Sequence, residues 1–122
     1  MATNVINVNV TGSVANGVTE SFSPGAVKID QDAIGMHGTL VSVGFAAEED
    51  MPVGDVTVMG WLFLLNIDET NYVTWGPKSG TMVACGRLEP GEPACLRVEP
   101  GVTIRWQADT ADVQVKMLLL ED

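Results

Sequence analysis

Positive charge is what this chain has least of. Six Lys and Arg stand against sixteen Asp and Glu, a formal net charge of −10. A surface so acidic repels phosphate backbones, which argues against a nucleic-acid partner. Histidine is almost absent: His37 is the only one. An activated nucleophile needs a base beside it, and no GxSxG, HExxH, Walker or dinucleotide motif is present. Sixteen acids make some carboxylate pair inevitable, so acid pairs carry no glycosidase signal. Cysteine is sparse as well. Cys85 and Cys95 form no Cys-x-x-Cys and have no His or Cys nearby, which argues against a metal site. Long apolar runs are missing too. Trp61–Leu65 and Met117–Leu120 have strand length, far below the ~18–20 residues that span a bilayer, so no membrane partner is expected. The N-terminus MATNVINVNV has neither a basic region nor an apolar one, so no secretory signal is expected. We therefore expect no enzyme, no catalytic residue, no cofactor and no bound metal.

What the chain does have is apolar content cut at regular intervals by turn chemistry. With 122 residues, 46% hydrophobic and 18% charged, it reads as a single globular domain over residues 1–122, able to bury a core. In the second half, short apolar runs alternate with IDETN, PKSG, EPGEP, EPG and DTAD. Pro sets φ for such turns, Gly takes the positive φ that follows, and Asn and Asp satisfy turn amides. The β-branched and aromatic residues between them suit a pleated, half-buried surface. Turn signals every eight to twelve residues or so, with no long helical pattern, predict an all-β antiparallel sandwich or jelly roll of about eight to ten short strands.

Local alternation places the strands. Ile6, Val8 and Val10 fall on one face of an N-terminal strand, with Asn7 and Asn9 on the other, so residues 1–12 read as an edge strand or an arm. Gly12–Gly17 reads as a loop. Val27 and Ile29 point inward from a second strand. Asp32–Gly38 reads as one helical turn capped by Asp32, and Thr39–Ala47 as a third strand. Glu48-Glu49-Asp50 is expected to be a solvated acidic loop. Gly60 marks a bulge or a bend between sheets. Tyr72–Trp75 is expected to pair back on Trp61–Leu65, and the remaining strands to follow as a meander. Cys85 and Cys95 then fall on neighbouring strands of one hairpin, where a cross-strand disulfide is geometrically open. Free cysteine is nevertheless commonly a small buried hydrophobe, and a cytosolically assembled protein stays reduced. In the last strand Val113, Val115, Met117 and Leu119 form one face, while Leu118 and Leu120 lie on the other beside Gln114 and Lys116. A strand apolar on both faces is central or covered.

The aromatic residues offer two readings. Trp61, Tyr72, Trp75 and Trp106 all lie in the C-terminal half. On an open face they would stack on sugar rings, making a carbohydrate-binding module. In a core or at a subunit interface they would serve as large packing anchors, and this second reading is preferred. The residues expected to carry assembly are this aromatic set, the N-terminal Ile6, Val8 and Val10, and Leu118 with Leu120.

The string from Gly60 to Asp122 resembles a group of small proteins encoded by tailed bacteriophages and prophages. Leu65-Asn66-Ile67-Asp68 and Thr70-Asn71-Tyr72-Val73 carry the first part of the resemblance. Gly86-Arg87-Leu88, Pro90-Gly91-Glu92, Arg97, Glu99-Pro100-Gly101-Val102 and Ala108-Asp109-Thr110-Ala111 carry the second. Phe22-Ser23-Pro24-Gly25 and Ile29-Asp30-Gln31 extend it to the N-terminal half. The resemblance implies a virion structural protein assembled in the host cytoplasm. A capsid decoration (cement) protein bridging shell subunits is the first form of it, and a tail or head–tail connector component the second. Its implied partners are the major capsid protein and copies of itself, a trimer suiting a capsid-bound protein.

Overall fold

A computed structural model describes residues 4–31 and 35–121. These residues form antiparallel sheets and no helix. The fold is all-β and sandwich-like, as the alternation and turn spacing lead one to expect. The chain divides into two compact units, residues 1–34 and 35–122, each described by itself.

In the first unit, β1 (Asn4–Asn9) pairs with β4 (Ala26–Gln31), and β2 (Gly12–Ala15) pairs with β3 (Thr19–Phe22). Together they make a two-stranded ribbon. Gly17 turns its tip at φ +99°, and the Asn16 amide donates to the Val18 carbonyl at 3.3 Å. Asn9 faces Ala26 but Gly12 faces Phe22, so Val10 and Thr11 stand opposite Ser23, Pro24 and Gly25. Pro24 has no amide to donate and Gly25 sits at φ +84°, which explains why the ladder breaks and shifts there. Gly12–Ala15 is thus a strand and not a loop, because its partner Thr19–Phe22 returns directly behind the Gly17 turn. Ile6 and Val8 are buried, but Val10 lies past the end of β1 and is exposed. Of the second inward pair, Ile29 is half-buried while Val27 is exposed.

The second unit is a pair of sheets around one core. One sheet has the order β11 (Pro93–Arg97), β7 (Met59–Asn66), β13 (Val113–Glu121), β5 (Met36–Val43). The other has the order β10 (Gly86–Leu88), β8 (Val73–Ser79), β12 (Ile104–Ala108), β6 (Glu49–Asp50), with β9 (Thr81–Met82) added to β8. Leu62, Leu64, Val43, Val113, Val115, Met117 and Leu119 from the first sheet meet Val73, Leu88, Ile104, Trp106 and Ala108 from the second. The last strand is apolar on both sides because it is central, flanked by β7 and β5. The strand segments number thirteen among the described residues, and two of them, β6 and β9, are only two residues long.

Several local expectations need correction. Met36–Gly38 opens β5 and is not helical; Asp32 and the two residues after it lie outside the described residues. Val73–Trp75 does not pair back on Trp61–Leu65. β7 pairs with β11 and β13, whereas β8 pairs with β10 and β12 in the opposite sheet. The connection between them is an arch and not a hairpin, and its physical cause is Asn66. That side chain is fully buried. Its amide donates to the carbonyls of Asn71 and Leu88, both at 3.0 Å, and its oxygen accepts the Asp68 amide at 2.8 Å. The turn is thereby fastened to the strand end at Leu88 in the other sheet. The meander fails for the same reason: the chain changes sheet at most connections. β10 and β11 lie in different sheets, so Cys85 and Cys95 are not hairpin neighbours, and both are free thiols. The Gly60 irregularity is present. Between Leu119↔Leu62 and Glu121↔Met59 the ladder shifts, leaving Gly60 and Trp61 opposite Leu120 alone.

Candidate functional surfaces

The two sheets of the second unit turn different chemistry outward. Strand register puts Trp61, Phe63 and Leu65 of β7 on the outer side, flanked by Cys95 and Arg97 of β11 and by Lys116, Leu118 and Leu120 of β13. Met36, Gly38 and Leu40 of β5 continue the row. Leu118 stands between Phe63 and Gly38. The rings of Trp61 and Phe63 stack with centroids 6.3 Å apart, a separation typical of favourable aromatic pairs. Met36, Leu40 and Leu65 are exposed; Trp61, Phe63, Leu118 and Leu120 are half-buried. In a chain with sixteen acids, this row contains no carboxylate. Burial pushes the Cys95 thiol pKa up, which keeps it protonated and unreactive.

The outer side of the second sheet is charged. Arg105 on β12 donates from Nε to Asp50 at 2.6 Å and from Nη1 to Glu48 at 2.9 Å. Glu48 also accepts the Met82 amide at 2.8 Å. The Arg105 hydrogen bond holds the Asp50 carboxyl below its usual range, and the two carboxylates raise the guanidinium in turn. The acidic run is therefore no free solvated loop: Glu49 and Asp50 form a short strand, and two of the three carboxylates are tied to one arginine. Arg87 lies 3.9 Å above the Tyr72 ring, within cation–π range.

The aromatic set is thus dispersed. Trp61 shares the apolar outer side with Leu118 and Leu120. Tyr72 sits beneath Arg87. Trp75 lies on the inner side over Gly86, packed against the core. Trp106 is 0% exposed, so it is a core residue and unavailable as an external anchor. The indole nitrogens of Trp61, Trp75 and Trp106 are buried and find no acceptor among the described residues, against the expectation that a buried indole acquires a partner. His37 faces inward from β5, half-buried, with its ring against Gly54. Sequence reasoning missed Phe63, Leu65, Met36 and Leu40. The run Trp61–Leu65, apolar at every position, was the available signal, since it marks a strand with two apolar sides.

A cleft of about 310 Å³ lies at one end of the sandwich, lined chiefly by Met51, Val53, Val56, Met59, Val102 and Ile104. Two of its polar side chains are already engaged. Asp50 pairs with Arg105, and Thr57 donates from both its amide and its hydroxyl to Glu121. Among the described residues no three His, Cys, Asp or Glu side chains converge as a metal site would require, and no helix is long and apolar enough to cross a membrane.

The chain matches no protein family, no curated protein and no solved structure.

What the surfaces offer chemically is therefore read from their own residues. The apolar side can exclude water from a contact. The charged side, with Arg105 paired to Glu48 and Asp50, remains hydrated.

Proposed function

We propose that the protein acts by contact and not by turnover, as a virion structural protein that decorates a phage head and bridges capsid subunits. The observation that carries this reading is the contrast between the two sheets. A largely apolar row without a carboxylate faces out on one, and a charged, ion-paired surface on the other. A protein bound to the outside of a shell needs one surface to exclude water against its neighbour and another to stay solvated. The net charge of −10 fits a position away from packaged nucleic acid. The resemblance of Leu65–Val73 and Gly86–Ala111 to small phage-encoded proteins supports the same role. A sugar-binding platform is less well supported, because Trp61 is the one tryptophan on an outer sheet side and its ring is already stacked on Phe63.

The test compares particles assembled with and without this gene product. We expect hundreds of copies per particle by quantitative mass spectrometry, and earlier release of DNA on heating when the protein is missing. Particles that contain none of it, or whose heat release does not change, would count against the reading. A copy number equal to a single ring would move the protein to the tail or neck.

A further inference from the structure

We propose that copies of this chain join head to tail by strand addition, the open edge of β1 in one copy pairing with the open edge of β5 in the next. The argument begins with how sheet edges are normally guarded. An unpaired edge presents a row of amides and carbonyls to any passing strand, and proteins block it with charge, with proline or by keeping the strand short. Most edges here are blocked in those ways. β4 carries Lys28 and Asp30, and β11 carries Pro93 and Arg97. β10 has three residues and β6 has two.

Two long edges carry none of these devices. β1 reads NVINVN and β5 reads MHGTLVSV, without Lys, Arg, Asp, Glu or Pro. β1 pairs with β4 and β5 with β13; among the described residues neither pairs with a strand on its other side. Both display apolar side chains to solvent: Val5 is 50% exposed and Leu40 is 54% exposed.

The charge distribution selects the occupant. Two chains of net charge −10 repel wherever carboxylates meet. A second copy can approach closely only along surfaces that lack them. No residue before Glu20 has a charged side chain, and the β5 edge borders the carboxylate-free outer row of its sheet. The lengths agree as well, since the six residues of β1 fit along the eight of β5. Pairing like edges, β1 with β1 or β5 with β5, would leave the other edge open. Pairing β1 with β5 satisfies both in every copy. Such a contact is heterologous, so it closes into a ring or continues as a filament. Backbone hydrogen bonds supply the attraction, and alternate side chains supply the register.

Sedimentation velocity on the purified protein tests this through two exposed substitutions, Val5→Lys and Leu40→Lys. Each blocks one edge and leaves the other intact. The wild type is expected to sediment as a species larger than a dimer. Each variant alone is expected to be monomeric, with circular dichroism and thermal midpoint like those of the wild type. An equimolar mixture of the two is expected to give a dimer and nothing larger, because one intact β1 edge meets one intact β5 edge. A monomeric wild type, association that survives either substitution, or a dimer formed by one variant alone would each overturn the proposal. The measurement uses isolated protein, so its failure would leave the head-decoration reading to be judged on particles.

Discussion

At the scale of single residues, the turn between β7 and β8 is held by a dense set of side-chain hydrogen bonds. Asn66 fills a fully buried position with an amide whose donors and acceptor are all used. Asp68 continues the arrangement, its carboxylate accepting the amides of Asn71 at 2.7 Å and Thr70 at 2.9 Å. Those bonds, the one from Asn71 first, hold the Asp68 carboxyl below its ordinary value. The linkage then has a definite sign. A depressed carboxyl contributes stability above its unfolded-state pKa, about 3.9, and loses it as pH falls through the lower native value. Asp68→Asn keeps an acceptor but does not titrate. The gap in thermal midpoint between wild type and Asp68→Asn should be constant near neutrality and shrink below about pH 4. A gap that does not change with pH would refute this account. That Asn and Asp would build this turn is legible in the sequence, because their side chains imitate backbone acceptors. That Asn66 reaches across to Leu88 is not, since nothing local marks a contact between residues so distant in the chain.

At the scale of elements, short-range rules read well and long-range ones do not. Glu89-Pro90-Gly91 and Glu99-Pro100-Gly101 both close as the sequence predicts. Glu92 donates to the Glu89 carbonyl at 3.0 Å and Val102 to that of Glu99 at 3.2 Å, with Gly91 at φ +82° and Gly101 at φ +87°. Alternation likewise marks β1, β4 and β13 as strands, although Val10 falls past the end of β1 and Val27 of β4 is exposed. Partner choice was misread at β7 and β8 because closeness in sequence favours a hairpin, whereas burial of Asn66 and of Val73 requires the chain to cross the core. The candidate surface was half-visible for the same reason. Trp61, Leu118 and Leu120 could be singled out as apolar in unexpected places, but only the β7–β13 pairing brings them together. Gly91→Ala isolates the turn term, since no atom lies within 4 Å of the added Cβ. It should lower unfolding free energy by about 1–2 kcal/mol through backbone strain alone. Gly12→Ala, equally uncrowded but with no positive φ, should be close to neutral. Urea denaturation of both variants checks the contrast; equal losses would remove the strain argument.

At the scale of the whole molecule, charge governs what the chain can meet. Sixteen acids against six bases give any two copies a mutual repulsion that salt screens. If copies associate through their uncharged edges, the attractive part of the contact is insensitive to ionic strength and the repulsive part is not. Self-association should therefore strengthen from low to moderate salt, read as a rise in weight-average mass at fixed protein concentration. Weakening with added salt would mean that ion pairs, and not strand pairing, hold the copies together.

The central place of β13 also governs the order in which the second unit can come into being. β5 and β7 are neighbours only through β13, so on a translating ribosome they wait, unjoined, until residues 113–121 have emerged. Contacts that span so much of the chain form slowly, and in that interval Trp61–Leu65 stands open to other nascent chains. Folding of this unit thus waits on β13, and chaperone occupancy should peak over the stretch from Trp61 to Ala111 and fall once that strand is seated.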